Sequence, residues 1–133
     1  MKQAFSLLWG LPHDGGRLKS ATLRPLTIGA ELRALEAYED FAEAHKPGKT
    51  ESGVAMTLAY WTQQLSVDGL PPSVMSIAWL MDNLVGEDYR IILDESETLR
   101  AKSAAASDNP QQPAEAAEPN PTTTGTPPAP AAA

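Results

Sequence analysis

The 133-residue chain has no cysteine. A disulfide framework, a thiolate zinc site and a cysteine nucleophile are therefore excluded, and a reducing compartment fits. Histidine is almost as scarce: His13 and His45 stand in or beside expected loops, neither with a partner at metal-ligand spacing. Ten Lys and Arg face 17 Asp and Glu, for a net charge of −7, and the bases form no run. Counterion release on nucleic acid needs clustered cations, so nucleic acid is not an expected partner. No apolar stretch approaches the roughly 20 residues of a membrane span. Residues 1–9 faintly resemble the apolar part of a signal peptide, but a small-residue cleavage site is missing and turn residues follow at once. A soluble, cytoplasmic protein without membrane contact is expected.

The chain is not uniform. Residues 103–133 hold ten Ala, seven Pro and three acids, with no base, aromatic, Leu, Ile or Val. Such a segment cannot bury enough apolar surface to offset its ordering entropy, and it reads as a disordered Pro/Ala/Thr-rich tail. The folded domain is then 1–102, with 14 acids and 10 bases. At that length one core is feasible, burying roughly two-thirds of the unfolded chain's surface.

Within the domain the hydrophobic period changes once. Phe5, Leu7 and Trp9 alternate with Ser6 and Leu8, then Pro12-His13-Asp14-Gly15-Gly16 supplies turn chemistry, and residues 17–24 alternate again. A two-stranded β-hairpin over 3–10 and 17–24 is expected. It must pack on helices or another chain, since two strands alone are marginal in water. Pro25 biases Arg24 towards extended geometry, and Thr27 can cap the helix that follows. Four helices are expected, over 28–44, 51–67, 74–84 and 87–102. The first shows an apolar stripe of Ile28, Leu32, Leu35, Tyr38 and Ala42, which predicts its buried face. The second should bury Val54, Leu58, Trp61 and Leu65. The last carries Tyr89, Ile92, Leu93, Ser96 and Leu99, with Glu87 and Asp88 at its positive end and Arg100 and Lys102 at its negative end. The fold class is α+β: a hairpin, a bundle of about four helices and a tail.

Little of this supports catalysis. His13-Asp14 is a poor acid–base pair, since neighbours in a glycine turn should point apart and general bases are held rigidly beside a pocket. The acids Glu87, Asp88, Asp94, Glu95 and Glu97 read as the solvated face of an amphipathic helix rather than a metal cluster. No phosphate loop, nucleophile elbow, HExxH or EF-hand pattern occurs. No catalytic residue, cofactor or metal is assigned, and no enzyme is expected. Trp61 and Trp79 fit helical stripes and are expected in the core. Tyr60 faces about 100° from Trp61. With Met56 it could form an exposed apolar patch, the kind of feature that marks a partner site. Arg24 is a further candidate contact residue, with a solvated strand-end arginine as the alternative.

Two stretches are similar to a known family. Thr22-Leu23-Arg24-Pro25-Leu26-Thr27-Ile28-Gly29-Ala30-Glu31-Leu32 resembles the strand-to-helix signature of tail assembly chaperones from Mu-like and related contractile-tailed phages. Gly69-Leu70-Pro71-Pro72, a short helix and Leu84-Val85-Gly86-Glu87-Asp88-Tyr89-Arg90-Ile91 resemble its second half, in which a leucine, three residues, an aspartate and an aromatic open the last helix. The likeness spans about 3–102, and its motif positions here are Leu23, Arg24, Pro25, Thr27, Asp88 and Tyr89. The Gly-rich first loop and the long tail depart from it. The resemblance implies a non-enzymatic factor in the bacterial host cytoplasm that binds the phage tape-measure protein, a largely helical apolar rod, before the tail tube forms. It also implies absence from the virion, the tail tube protein and self-association as further contacts, and a longer form made by frameshifting in relatives. Two other readings stay open: a structural tail or baseplate protein of the virion, and an unrelated cytoplasmic protein-binding adaptor.

Overall fold

Asp14 and Gly15 both take positive φ, 50° and 80°, the two-residue turn that matches the right-handed twist of paired strands. It joins β1 (Gln3–His13) to β2 (Gly16–Leu23). A computed structural model of the chain describes residues 1–107. Residues 108–133, most of the expected tail, lie outside the described residues.

The hairpin gains a third strand. Leu65–Val67, expected as the end of the second helix, leaves helical geometry and forms β3, antiparallel to β2. Strand order is β1-β2-β3. Leu65 and Val67 are buried with Ser66 between them, so alternation wins over the helical stripe that Leu65 also fits. Backbone bonds from Arg24 to Gln64 and from Asp68 to Ser20 extend the β2–β3 ladder at both ends.

Among the described residues four α-helices accompany the sheet in an α+β fold: α1 (Ile28–His45), α2 (Lys49–Gln64), α3 (Ile77–Asn83) and α4 (Gly86–Ser107). Pro72–Val74 forms a 3₁₀ turn, so α3 begins three residues later than expected. Helix α4 runs five residues past the expected end at Lys102, into the stretch read as tail.

Thr27 caps α1: its hydroxyl accepts from the Ala30 amide at 3.1 Å. Replacing Thr27 with Ala should cost about 1 kcal/mol, read as a lower urea midpoint at unchanged slope. Lys46 ends the helix in the left-handed region and returns its amide to Ala42.

The core is drawn from every element between Leu7 and Leu99. Leu11, Leu23, Leu58, Leu80 and Ile92 are its largest fully buried side chains, together with one acid described below. Trp61 is buried, and Tyr89 leans on it with ring centroids 5.0 Å apart. Trp79, expected in the core, is half-buried and packs against it. The expected α1 stripe faces inward only in part: Tyr38 packs against the core, but Ile28 and Leu32 do not. The buried residues of α1 are Ala30, Ala34 and Phe41, while Ile28 is 79% and Leu32 61% exposed. Small alanines let α1 approach its neighbours closely, and that contact outweighs burial of the bulkier side chains.

Candidate functional site

Strand β1 does not run straight past β2. Ser6 pairs with Ser20 and Leu11 with Leu18, so residues 7–10 stand opposite Lys19 alone. This wide bulge lifts Leu8 and Trp9 out of the sheet and leaves them 54% and 49% exposed. Trp9 therefore leaves the face it was expected to share with Phe5 and Leu7, and Leu11 takes the place in the core.

A bulge frees backbone donors and acceptors, and these must find partners. The donors converge on Asp88 in the first turn of α4. The Leu8 amide gives to Oδ1 at 2.7 Å, the Trp9 amide to Oδ2 at 3.0 Å, and the Gly10 amide to Oδ2 at 2.9 Å. From the other side Arg17 donates Nε to the Trp9 carbonyl at 2.9 Å and Nη2 to the Gly10 carbonyl at 3.1 Å. The Trp9 indole donates to Glu87 at 2.8 Å. Asp88 is 0% exposed, which corrects its expected place on a solvated face. Glu87, Asp94 and Glu97 stay at the surface and Glu95 is half-buried, but Asp88 is the keystone of a clamp. Sequence reasoning missed it because its partners lie about 80 residues away. Gly10 was the one local sign of a break in β1.

The residues that carry the family likeness mostly hold the chain together. Leu23 is fully buried. Arg24 gives Nη1 to the Ser66 hydroxyl at 2.9 Å and Nη2 to the Gln63 carbonyl at 3.0 Å, while Gln64 returns its amide to the Arg24 carbonyl. Its exposed guanidinium thus ties the β2–α1 junction to the end of α2. Pro25 is exposed in that junction, Thr27 is the cap, Asp88 the keystone and Tyr89 the neighbour of Trp61. Of the candidate contact residues, Met56 and Tyr60 lie one turn apart on α2 and both are half-buried, with Tyr60 packed against the core.

Apolar surface is found elsewhere. Ile28 and Leu32, with half-buried Leu35, follow i, i+4, i+7 along the side of α1 opposite Ala30, Ala34 and Phe41. At roughly 100° per residue, Glu31 borders this stripe on one side, Glu36 and Glu43 border it on the other, and Glu39 continues it. All four glutamates are exposed, and none has an ion-pair partner among the described residues. Arg33, on the same helix, is turned to Gln63 at 3.0 Å.

The reactive side chains remain scattered. His13 Nε2 lies 3.4 Å from Asp14 Oδ2, closer than expected for neighbours in a turn. The Asp14 side chain is 89% exposed there and that of His13 28%, so the carboxylate faces water. His45 stacks on Phe41 at 4.3 Å and contacts its carbonyl. Among the described residues no group of three or more His, Asp or Glu is placed to hold a metal ion, and no helix is long and apolar enough to cross a membrane. No family model, curated protein or solved structure matches the chain.

Proposed function

We propose that this protein is a phage tail assembly chaperone. It covers apolar stretches of the tape-measure protein, keeps that helical rod soluble until the tail tube polymerises around it, and then leaves. The observation that supports this reading best is the outward apolar stripe of α1. Two large aliphatic side chains stand in water on a capped, well-packed helix whose inward face is taken by Ala30, Ala34 and Phe41. Exposed apolar groups on an ordered element of a small protein favour protein contact over chemistry. The likeness at the β2–α1 junction and at the start of α4 supplies the identity of the partner. The residues of that likeness act in this reading as scaffold: Arg24 and Thr27 hold the β2–α1 junction, and Asp88 and Tyr89 hold the start of α4 against β1 and α2.

The test is co-expression of the full chain with the tape-measure protein of the same phage. The soluble fraction of tape-measure protein should rise several-fold, and the two should co-purify. An insoluble tape-measure protein in the presence of excess chain overturns the proposal. Mass spectrometry of purified particles separates the virion-component reading: a chaperone is missing, while a tail or baseplate protein is present in stoichiometric amount.

A further inference from the structure

We infer that the outer face of α1 docks an amphipathic helix whose own apolar stripe is bordered by Lys and Arg. The inference rests on the protein-binding part of the proposed function and goes beyond it in naming the surface and the chemistry of the partner segment.

Shape comes first. Ile28, Leu32 and Leu35 recur at the spacing with which one helix presents a ridge to another. The capped first turn fixes their direction, so little ordering entropy is lost on docking. Charge then selects the occupant. Glu31, Glu36, Glu39 and Glu43 frame or continue the stripe, and among the described residues their carboxylates form no ion pair, Lys46 reaching only the Glu43 backbone carbonyl. A helix laid on this face with acidic borders would bring like charges together over its whole length, while one with Lys and Arg borders would satisfy four carboxylates at the rim.

Two other occupants fit poorly. A second copy docking α1 on α1 would oppose the same glutamates, in a chain of net charge −7. Residues 108–133 carry three acids, no base and no Leu, Ile, Val or aromatic residue, so they offer neither the apolar stripe nor the cations. A cationic amphipathic helix from another protein satisfies both requirements.

The test uses the full-length chain and two synthetic helical peptides with an identical Leu/Ile stripe, one flanked by Lys and one by Glu. Affinity is read by fluorescence anisotropy. At about 50 mM salt the Lys-flanked peptide should bind at least about tenfold tighter, and the preference should shrink at about 0.5 M, where screening is nearly complete within a few ångströms. The double substitution Ile28→Ser, Leu32→Ser, checked for retained helical circular dichroism, should weaken that binding about 30-fold, as loss of two interface anchors does. Glu31→Lys, Glu36→Lys should invert the peptide preference. Asp82→Lys, Asp94→Lys changes net charge equally on other helices and should not invert it.

Equal binding of the two peptides, unchanged affinity after the serine substitutions, or inversion by the α3/α4 control each overturn the inference. So does a dimer in sedimentation that the serine substitutions dissolve, since the face would then belong to a second copy. A retained peptide preference alongside an insoluble tape-measure protein removes the chaperone reading and leaves the docking face. The reverse pattern removes the docking face alone.

Discussion

Asp88→Ala is expected to lower the unfolding free energy by about 3–5 kcal/mol. The carboxylate accepts from the Leu8, Trp9 and Gly10 amides at once, and removing it leaves three donors to find water or none. A buried donor without a partner costs about 1–3 kcal/mol. The Gly10 amide is fully buried and the other two are partly so, which places the sum below three full penalties. The first turn of α4 also loses an acid that its dipole favours, a smaller effect of about 0.3–1 kcal/mol. Against a total stability of about 5–15 kcal/mol for a small domain, the loss is large. Urea unfolding should show the midpoint falling with little change in slope. Asp88→Asn should recover little, because its amide nitrogen would turn a donor towards the amide donors of the bulge. Hydrogen exchange localises the effect: protection at residues 8–10 should be lost first. A loss below about 1 kcal/mol, the worth of one ordinary hydrogen bond, would mean that the bulge holds its shape without the clamp.

Gly10→Ala carries the second large expected effect, about 3–4 kcal/mol, from strained backbone and overpacking together. Gly10 has φ +82°, and an added Cβ would sit 2.7 Å from the Leu18 carbonyl oxygen and 2.9 Å from Lys19 Cγ. The lysine side chain can swing away. The Leu18 carbonyl cannot, because its residue is paired with Leu11 across the ladder. Gly15 is the internal control: its φ is +80° but nothing lies within 4 Å of an added Cβ. Gly15→Ala should therefore cost only the conformational part, about 1–2 kcal/mol. Thermal unfolding of the two variants side by side separates strain from collision. Equal melting temperatures would show that β2 yields at Leu18 and that the close approach is not a constraint.

Local chemistry was legible wherever cause and effect sit a few residues apart. Asp14-Gly15 announced the hairpin, Thr27 announced the start of α1, and Leu58 and Trp61 named the inner side of α2, where Val54 is only half-buried and Ala55 and Ala59 are buried instead. The misreadings share a physical origin in tertiary competition. Leu65 satisfies both a helical stripe and a strand alternation, and only the open edge of β2 decides between them. On α1 hydrophobic bulk pointed to Ile28 and Leu32, whereas close helix packing selected Ala30 and Ala34, whose value is their small size. Asp88 looked like a helix-start acid, which it is. Its larger role depends on a bulge that nothing near it in sequence describes. The candidate docking face became visible through the α1 misreading: a stripe that the sequence shows plainly acquires meaning only once the core is seen to lie on the other side.

The clamp has a consequence for the edge of the sheet. β1 is a rim strand of the sheet, and an open rim offers a row of free amides on which a foreign strand can grow. Here the middle of that row is already spent on a carboxylate delivered by α4, and the chain kinks away at the same point. A foreign strand thus meets no continuous ribbon of free amides along β1. The side chain that fixes the fold also interrupts that rim.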